Sequence, residues 1–286
     1  MRIEELTMLM GAVCGDMAGS PYDRLNIKYR PDEETLVTGD AHFTDDTVMT
    51  LAVAEGIRLG LSQLPADWMN EPGAEDILFV SIRDAMRRFG REYPGAEYGG
   101  MFQNWLRDPD PQPYNSWGNG SAMRVSYAGW VARSLQEAEK LAEISAKITH
   151  DHPDGIKGAV VIAGIIYQLR NGASKDDIFY YANQFYDVDF CLEDVQDAYY
   201  FDASCMGSVP HAIVAFLEGE SFTDVISGAL SIGGDSDTIA AMAGSMAEVI
   251  YPIPQALRGR VIDRLDSFLK DTIIEAVDFA YNRLPE

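Results

Sequence analysis

Basic residues are scarce in this chain: 22 Lys and Arg stand against 45 Asp and Glu, for a formal net charge of −23. A surface this acidic disfavours nonspecific binding to nucleic acid or anionic membranes, whose phosphates are held mainly by Lys and Arg. It disfavours nucleic acid as a partner without excluding it. It also leaves room for one anionic small molecule where metals and backbone amides supply local positive potential. Cysteine is nearly absent, with only Cys14, Cys191 and Cys205. An odd count without metal-ligand spacing fits a reducing cytoplasm and reads as buried small side chains. No apolar run reaches the length of a membrane span. The opening residues Met1-Arg2-Ile3-Glu4-Glu5 are polar and acidic, so no secretory signal is expected. These absences predict a cytoplasmic globular protein with no membrane partner, and monomer is the default.

What is present is mostly helical pattern. Leu6, Leu9, Met10, Val13 and Met17 recur at helix spacing, as do Leu135, Ala138, Leu141, Ala142 and Ile148. Val261, Ile262, Leu265, Phe268 and Leu269 repeat the signature near the C-terminus. Ser134-x-x-Glu137 reads as a capping box; Ser174-x-x-Asp177 and Ser221-x-x-Asp224 resemble it with a shorter acid. Few stretches alternate like strands. Residues 24–43 and 90–120 are rich in Gly, Pro, Asn and Tyr and read as long ordered loops. With no tandem repeat or linker, the chain is expected to form one all-α domain spanning residues 1–286. The first helix carries Gly11, Gly15 and Gly19 at every fourth position. Each costs about 1 kcal/mol of helix stability relative to Ala, so a second helix or a ligand must pack very close there.

Two acidic strings carry the chemistry: Thr44-Asp45-Asp46-Thr47 and Gly233-Gly234-Asp235-Ser236-Asp237-Thr238. Each precedes an apolar helical run, where free amides and the macrodipole favour ionised carboxylates. One cap residue would serve a helix; three oxygen donors in four or six positions need another reason. Two carboxylates about 5 Å apart repel by roughly 3 kcal/mol at an effective dielectric of about 20. Divalent cations remove that repulsion, and oxygen-only ligands suit magnesium, manganese or calcium. Neither string holds a His or Cys, which argues against zinc. A two-metal hydrolytic site is the expectation. Between the strings, Asn115-Ser116-Trp117-Gly118-Asn119-Gly120-Ser121 permits converging backbone amides that can hold a phosphate, a weak signal alone. His150-Asp151-His152 is too isolated to predict zinc, and His42 and His211 read as structural or surface residues.

Together these strings resemble the ADP-ribosylglycohydrolase family, in its dinitrogenase reductase-activating branch. The resemblance runs in order through Gly11-x-x-x-Gly15-Asp16-x-x-Gly19, Phe43-Thr44-Asp45-Asp46-Thr47, Gly118-Asn119-Gly120-Ser121-Ala122-Met123-Arg124, Thr149-His150-x-His152-Pro153-x-Gly155-Ile156-x-Gly158-Ala159 and the 233–241 string. It implies an all-α fold around two Mg²⁺ or Mn²⁺ ions. Thr44, Asp45, Asp46, Asp235, Asp237 and Thr238 would be the ligands, Asp237 bridging the ions. Gly118, Asn119, Gly120 and Ser121 would cradle the ADP-ribose pyrophosphate, with His150 near the phosphates and Asp16 and Asp23 also on the substrate side. Asp23 stands where the family usually carries a glutamate. Being one methylene shorter, it would reach a metal through water or yield the role to another group.

The implied reaction is cleavage at the anomeric carbon of the distal ribose, freeing ADP-ribose from a modified protein side chain or a small conjugate. Asp45 or Asp46 would accept the proton of the attacking water. A catalytically silent ADP-ribose-binding protein is the competing non-enzymatic reading. A metal phosphoesterase is the competing reaction and would release AMP instead of intact ADP-ribose.

Overall fold

The computed structural model describes residues 7–284. Leu6, which opens the first periodic pattern, and the opening residues 1–5 lie outside the described residues. Among the described residues fifteen α-helices follow one another: α1 (Met10–Gly19), α2 (Asp45–Ser62), α3 (Ala74–Glu92), α4 (Gly100–Arg107), α5 (Gly120–Met123), α6 (Ser126–Val131), α7 (Leu135–Lys147) and α8 (Pro153–Arg170). Then come α9 (Lys175–Ala182), α10 (Leu192–Val195), α11 (Cys205–Glu218), α12 (Phe222–Ser231), α13 (Ser236–Ile250), α14 (Gln255–Ile262) and α15 (Ser267–Arg283). Among the described residues there is no strand beyond an isolated bridge between Gly118 and Ser204. The expected all-α class holds.

Local chemistry explains several helix starts. Ser174 and Asp177 complete a capping box on α9, each side chain serving the other residue's amide. On α7 and α12 only the serine half forms. The Glu137 carboxylate instead accepts from the Arg133 amide at 2.7 Å and the Trp68 indole at 2.6 Å. Asp224 similarly turns to the Glu220 amide and to Arg30. The apolar pattern at 261–269 is not one helix. Asp266 caps a new one, its carboxylate accepting from the Leu269 amide, so α14 and α15 are separate. The 90–120 segment is not all loop either. α3 runs to Glu92, and α4 forms because Phe102 and Trp105 share one buried face, their rings stacked at 5.3 Å. Cys14 and Cys205 are buried as expected, whereas Cys191 is exposed. His42 lies at the surface, paired with Glu97, and His211 packs between Phe190 and Tyr199.

α1 is the innermost element: every residue from Met10 to Gly19 is buried. A helix apolar on all sides belongs in a core, and one continuous apolar cluster surrounds it from Met8 to Ala280. Its glycine stripe answers the close-packing question in favour of a helix, α13. A Cβ on Gly11 would stand 2.2 Å from the Gly244 carbonyl oxygen, and one on Gly15 would stand 2.0 Å from that of Ala240. At Gly19 it would stand 2.3 Å from the Asp237 Cα. The obstructing atoms are backbone, so no rotamer change relieves them. Glu248, near the far end of α13, accepts the Gly11 amide at 2.7 Å and satisfies an orphan donor of α1. Gly15→Ala is therefore expected to destabilise the fold by about 3 kcal/mol or more. Gly95→Ala, at an exposed position with open space around it, should stay within about 0.5 kcal/mol. Urea denaturation of both variants checks this, and equal midpoints would refute the backbone-contact reading.

Candidate active site

The first acidic string is anchored from below by α1. Asp16, fully buried, accepts the Thr44 amide at 2.9 Å, the Thr44 hydroxyl at 2.7 Å, the Thr47 amide at 3.0 Å and the Thr47 hydroxyl. Burial pushes its carboxyl above the ordinary range, and these hydrogen bonds hold the shift back. Thr44 caps α2, its oxygen accepting the Asp46 amide. Asp45 and Asp46 then open the helix toward a cavity of about 320 Å³. The second string reaches the same cavity through Gly233 and Gly234, whose φ values of 65° and 78° lie in the region that side chains resist. That turn delivers Asp235 to the start of α13 and Asp237 to its first turn. The Thr238 hydroxyl donates to Asp46 at 3.0 Å and joins the strings directly.

The carboxylates gather in two triads that share one residue. Oxygens of Asp16, Asp46 and Asp237 lie within 4.8 Å of one another, as do oxygens of Asp23, Asp235 and Asp237. At that separation each ionised pair costs about 3 kcal/mol at an effective dielectric of 20. Burial first, then mutual repulsion, drives Asp46 and Asp237 well above the usual carboxylate range. The same causes lift Asp45 to about 8. Burial lifts Asp235 to about 6, held back by the Asn119 amide. Buried oxygens of Asp46 and Asp23 have no hydrogen-bond partner. Orphaned oxygens amid crowded carboxylates, with two hydroxyls beside them, are what a pair of hard divalent cations would satisfy. The donor set fits such ions.

The opposite wall is the glycine loop. Gly118, Asn119 and Gly120 line the cavity, and the loop is pinned by the Asn119 amide on the Ala203 carbonyl at 2.8 Å. The Asn119 side chain donates to Asp235 at 2.6 Å, tying this wall to the acidic floor. His150 is buried behind the loop, its Nε2 3.2 Å from where a Cβ on Gly120 would stand. Burial, with the Arg124 charge nearby, holds the imidazole well below its ordinary pKa and neutral.

Asp23, Asp45, Asp46, Gly118, Asn119, Gly120, His150, Asp235, Asp237 and Thr238 thus converge on one cavity. Three sequence-predicted residues stand behind its walls. Asp16 holds the 44–47 turn, Thr44 is engaged with Asp16 and the Asp46 amide, and the Ser121 hydroxyl donates to the Gly155 carbonyl at 2.7 Å. Asp23 sits in the second triad and also pairs with Arg24 at 3.1 Å. The cavity contains groups that sequence reasoning did not single out: Arg124, Tyr114, Glu97 and Phe201. Arg124 lay at the end of a motif already marked. Phe201 had no such signal, because its loop arrives through long-range contacts such as those of Ala203 and Ser204 with the glycine loop.

The ADP-ribosylglycohydrolase family model matches residues 6–284. The chain is 25% identical to ADP-ribosylhydrolase ARH3 of Mus musculus over 325 aligned positions, covering 86% of this chain and 83% of that protein. With ADP-ribosylhydrolase ARH3 of Danio rerio the identity is 27% over 319 positions, covering 86% and 82%. A solved structure titled ADP-ribosylglycohydrolase-related protein complex superposes with a TM-score of 0.67 over 96% of this chain and 95% of that one, at 22% identity, a likeness of fold. Both acidic strings, the glycine loop and His150 fall inside the matched span, and the chain belongs to the ADP-ribosylglycohydrolase family.

Proposed function

We propose that this protein is a metal-dependent hydrolase that frees ADP-ribose from a modified protein side chain or a small ADP-ribosyl conjugate. The bond broken is the one at the anomeric carbon of the distal ribose. The observation that carries this reading is the gathering of Asp23, Asp45, Asp46, Asp235 and Asp237 in one cavity with the 118–120 glycine loop. Asp45, Asp46, Asp235, Asp237 and Thr238 would hold two Mg²⁺ or Mn²⁺ ions, with Thr44 beneath them and Asp23 at the second triad. When bound, such ions polarise substrate oxygens and lower the pKa of coordinated water.

The chain's own groups divide the remaining work. The glycine loop offers backbone close to a diphosphate without side chains in the way. Asn119 keeps that wall registered against Asp235. Asp45 faces the cavity, and no hydrogen bond to another side chain occupies it among the described residues, so it is placed to take the proton of the attacking water. Asp46, with one oxygen on Thr238 and one unpartnered, stands beside it. Asp16 keeps both at the cavity by fixing the turn beneath them.

Turnover of arginine-linked, serine-linked and O-acetyl ADP-ribose, with Mg²⁺, Mn²⁺ or EDTA and mass-spectrometric product analysis, tests the reaction. Intact ADP-ribose is expected, and only with metal; AMP would point to pyrophosphate cleavage. Asp237→Asn should lower turnover by more than about 100-fold with helical circular dichroism unchanged. Full activity in that purified variant would overturn the ligand assignment. A pH series adds an independent check. Carboxyls raised in the folded state bind extra protons there, so the metal-free fold loses stability as pH rises from near 4 through about 6 for Asp235 and about 8 for Asp45. Added Mg²⁺ or Mn²⁺ should therefore raise the melting temperature more at pH 8 than at pH 5. A cation effect independent of pH would count against carboxylate ligation.

A further inference from the structure

Behind the glycine loop lies a line of polar side chains that the hydrolytic scheme leaves unused. Arg124 is almost wholly buried at the C-terminal end of α5. No carboxylate pairs with it within 4 Å among the described residues. One guanidinium nitrogen donates instead to the Thr149 hydroxyl at 2.8 Å and to the Ser145 carbonyl at 3.4 Å. Thr149, fully buried, lies 2.7 Å from Nδ1 of His150.

Counting donors gives these bonds a direction. A hydroxyl has one proton and two lone pairs, whereas a guanidinium can only donate. Arg124 therefore occupies one lone pair of Thr149. The Thr149 side chain is shielded from water, and Nδ1, at 2.7 Å, is the acceptor that the geometry offers its proton. An imidazole that accepts at Nδ1 and stays neutral carries its proton on Nε2. Nε2 is the nitrogen that faces the loop, 3.4 Å and 3.2 Å from where Cβ atoms on Gly118 and Gly120 would stand.

We propose that Arg124 and Thr149 are positioning residues that lock His150 in its Nε2–H tautomer, making it a fixed hydrogen-bond donor to an anionic group seated against the 118–120 loop. The tautomer follows from the protein alone. Its ligand, the diphosphate of ADP-ribose, rests on the functional reading above. An acceptor nitrogen in that place would face phosphate oxygens lone pair to lone pair; the relay prevents this without giving His150 a charge. It also gives the buried Arg124 a task that needs no carboxylate partner.

Long-range ¹H–¹⁵N spectra of uniformly labelled protein identify which ring nitrogen of His150 is protonated, with His150→Gln assigning the resonance. In the unmodified protein near neutral pH the proton is expected on Nε2. Thr149→Val should shift the ring toward the Nδ1–H form and weaken ADP-ribose binding, measured by calorimetry with Mg²⁺, by about tenfold. Thr149→Ser should restore both. A ring protonated on Nδ1, or on both nitrogens, in the unmodified protein overturns the proposal, and so does Thr149→Val with an unchanged tautomer. The spectrum of the unmodified protein decides the question even where a variant fails to fold. Absence of ADP-ribose binding to the unmodified protein would strike the functional reading instead and leave the tautomer result standing.

Discussion

The contact between α1 and α13 is the constraint on which the rest of this structure depends. Three glycines bring two helix backbones to a separation that no side chain permits, and Gly19 abuts Asp237 itself. On its other side α1 carries Asp16, whose carboxylate grips both threonines of the 44–47 turn. One ten-residue helix thereby sets the position of two acidic strings that lie nearly 190 residues apart in sequence. Burying Asp16 is unfavourable, and the hydrogen bonds from two amides and two hydroxyls offset much of that penalty. The anchor is therefore rigid, as a site built from mutually repelling carboxylates requires.

Electrostatics at the cavity run in opposite senses on its two walls. On the floor, Asp45, Asp46, Asp235 and Asp237 are crowded until burial and repulsion push their carboxyls upward. The N-termini of α2 and α13 both point at this cluster and offset part of the repulsion, worth typically under 1 kcal/mol each. On the loop side, burial and then the positive charge of Arg124 depress His150. Asn119 spans the two by donating to Asp235. An anionic ligand with a polar sugar at one end would find a matching environment along this axis.

Much of this was legible in the sequence because the residues that carry it are unusual for helices. Aspartates beside threonines at a helix start, paired glycines ahead of another, and glycines every fourth residue each break a local preference and so announce a reason. Other parts were silent. α4 was read as loop because only Phe102 and Trp105 mark its buried face, too few to establish a period. The break between α14 and α15 was hidden, since the apolar spacing carries across Asp266. Asp16 was placed on the substrate side, yet its oxygens are taken up by Thr44 and Thr47, a partnership that depends on how helices meet. Ser121 followed the same course, sharing a motif with the loop but turning its hydroxyl to Gly155. Phe201 came to the cavity through backbone pairing of a distant loop, which no local pattern encodes.

The glycine-lined spine also bears on how such a protein can diversify. Because backbone meets backbone beneath the floor, substitutions there have no side-chain freedom to exploit, and the acidic floor is held in place by steric necessity. The rim is built differently. Arg24 and Glu97 hold left-handed backbone conformations, and Phe201 and Met101 remain exposed at the mouth. These positions belong to loops and a helix start, elements that tolerate exchange and insertion. Exchange at the rim can therefore reshape the mouth of the cavity while the spine leaves the acidic floor where it is, so that access and anchoring are separable in this architecture.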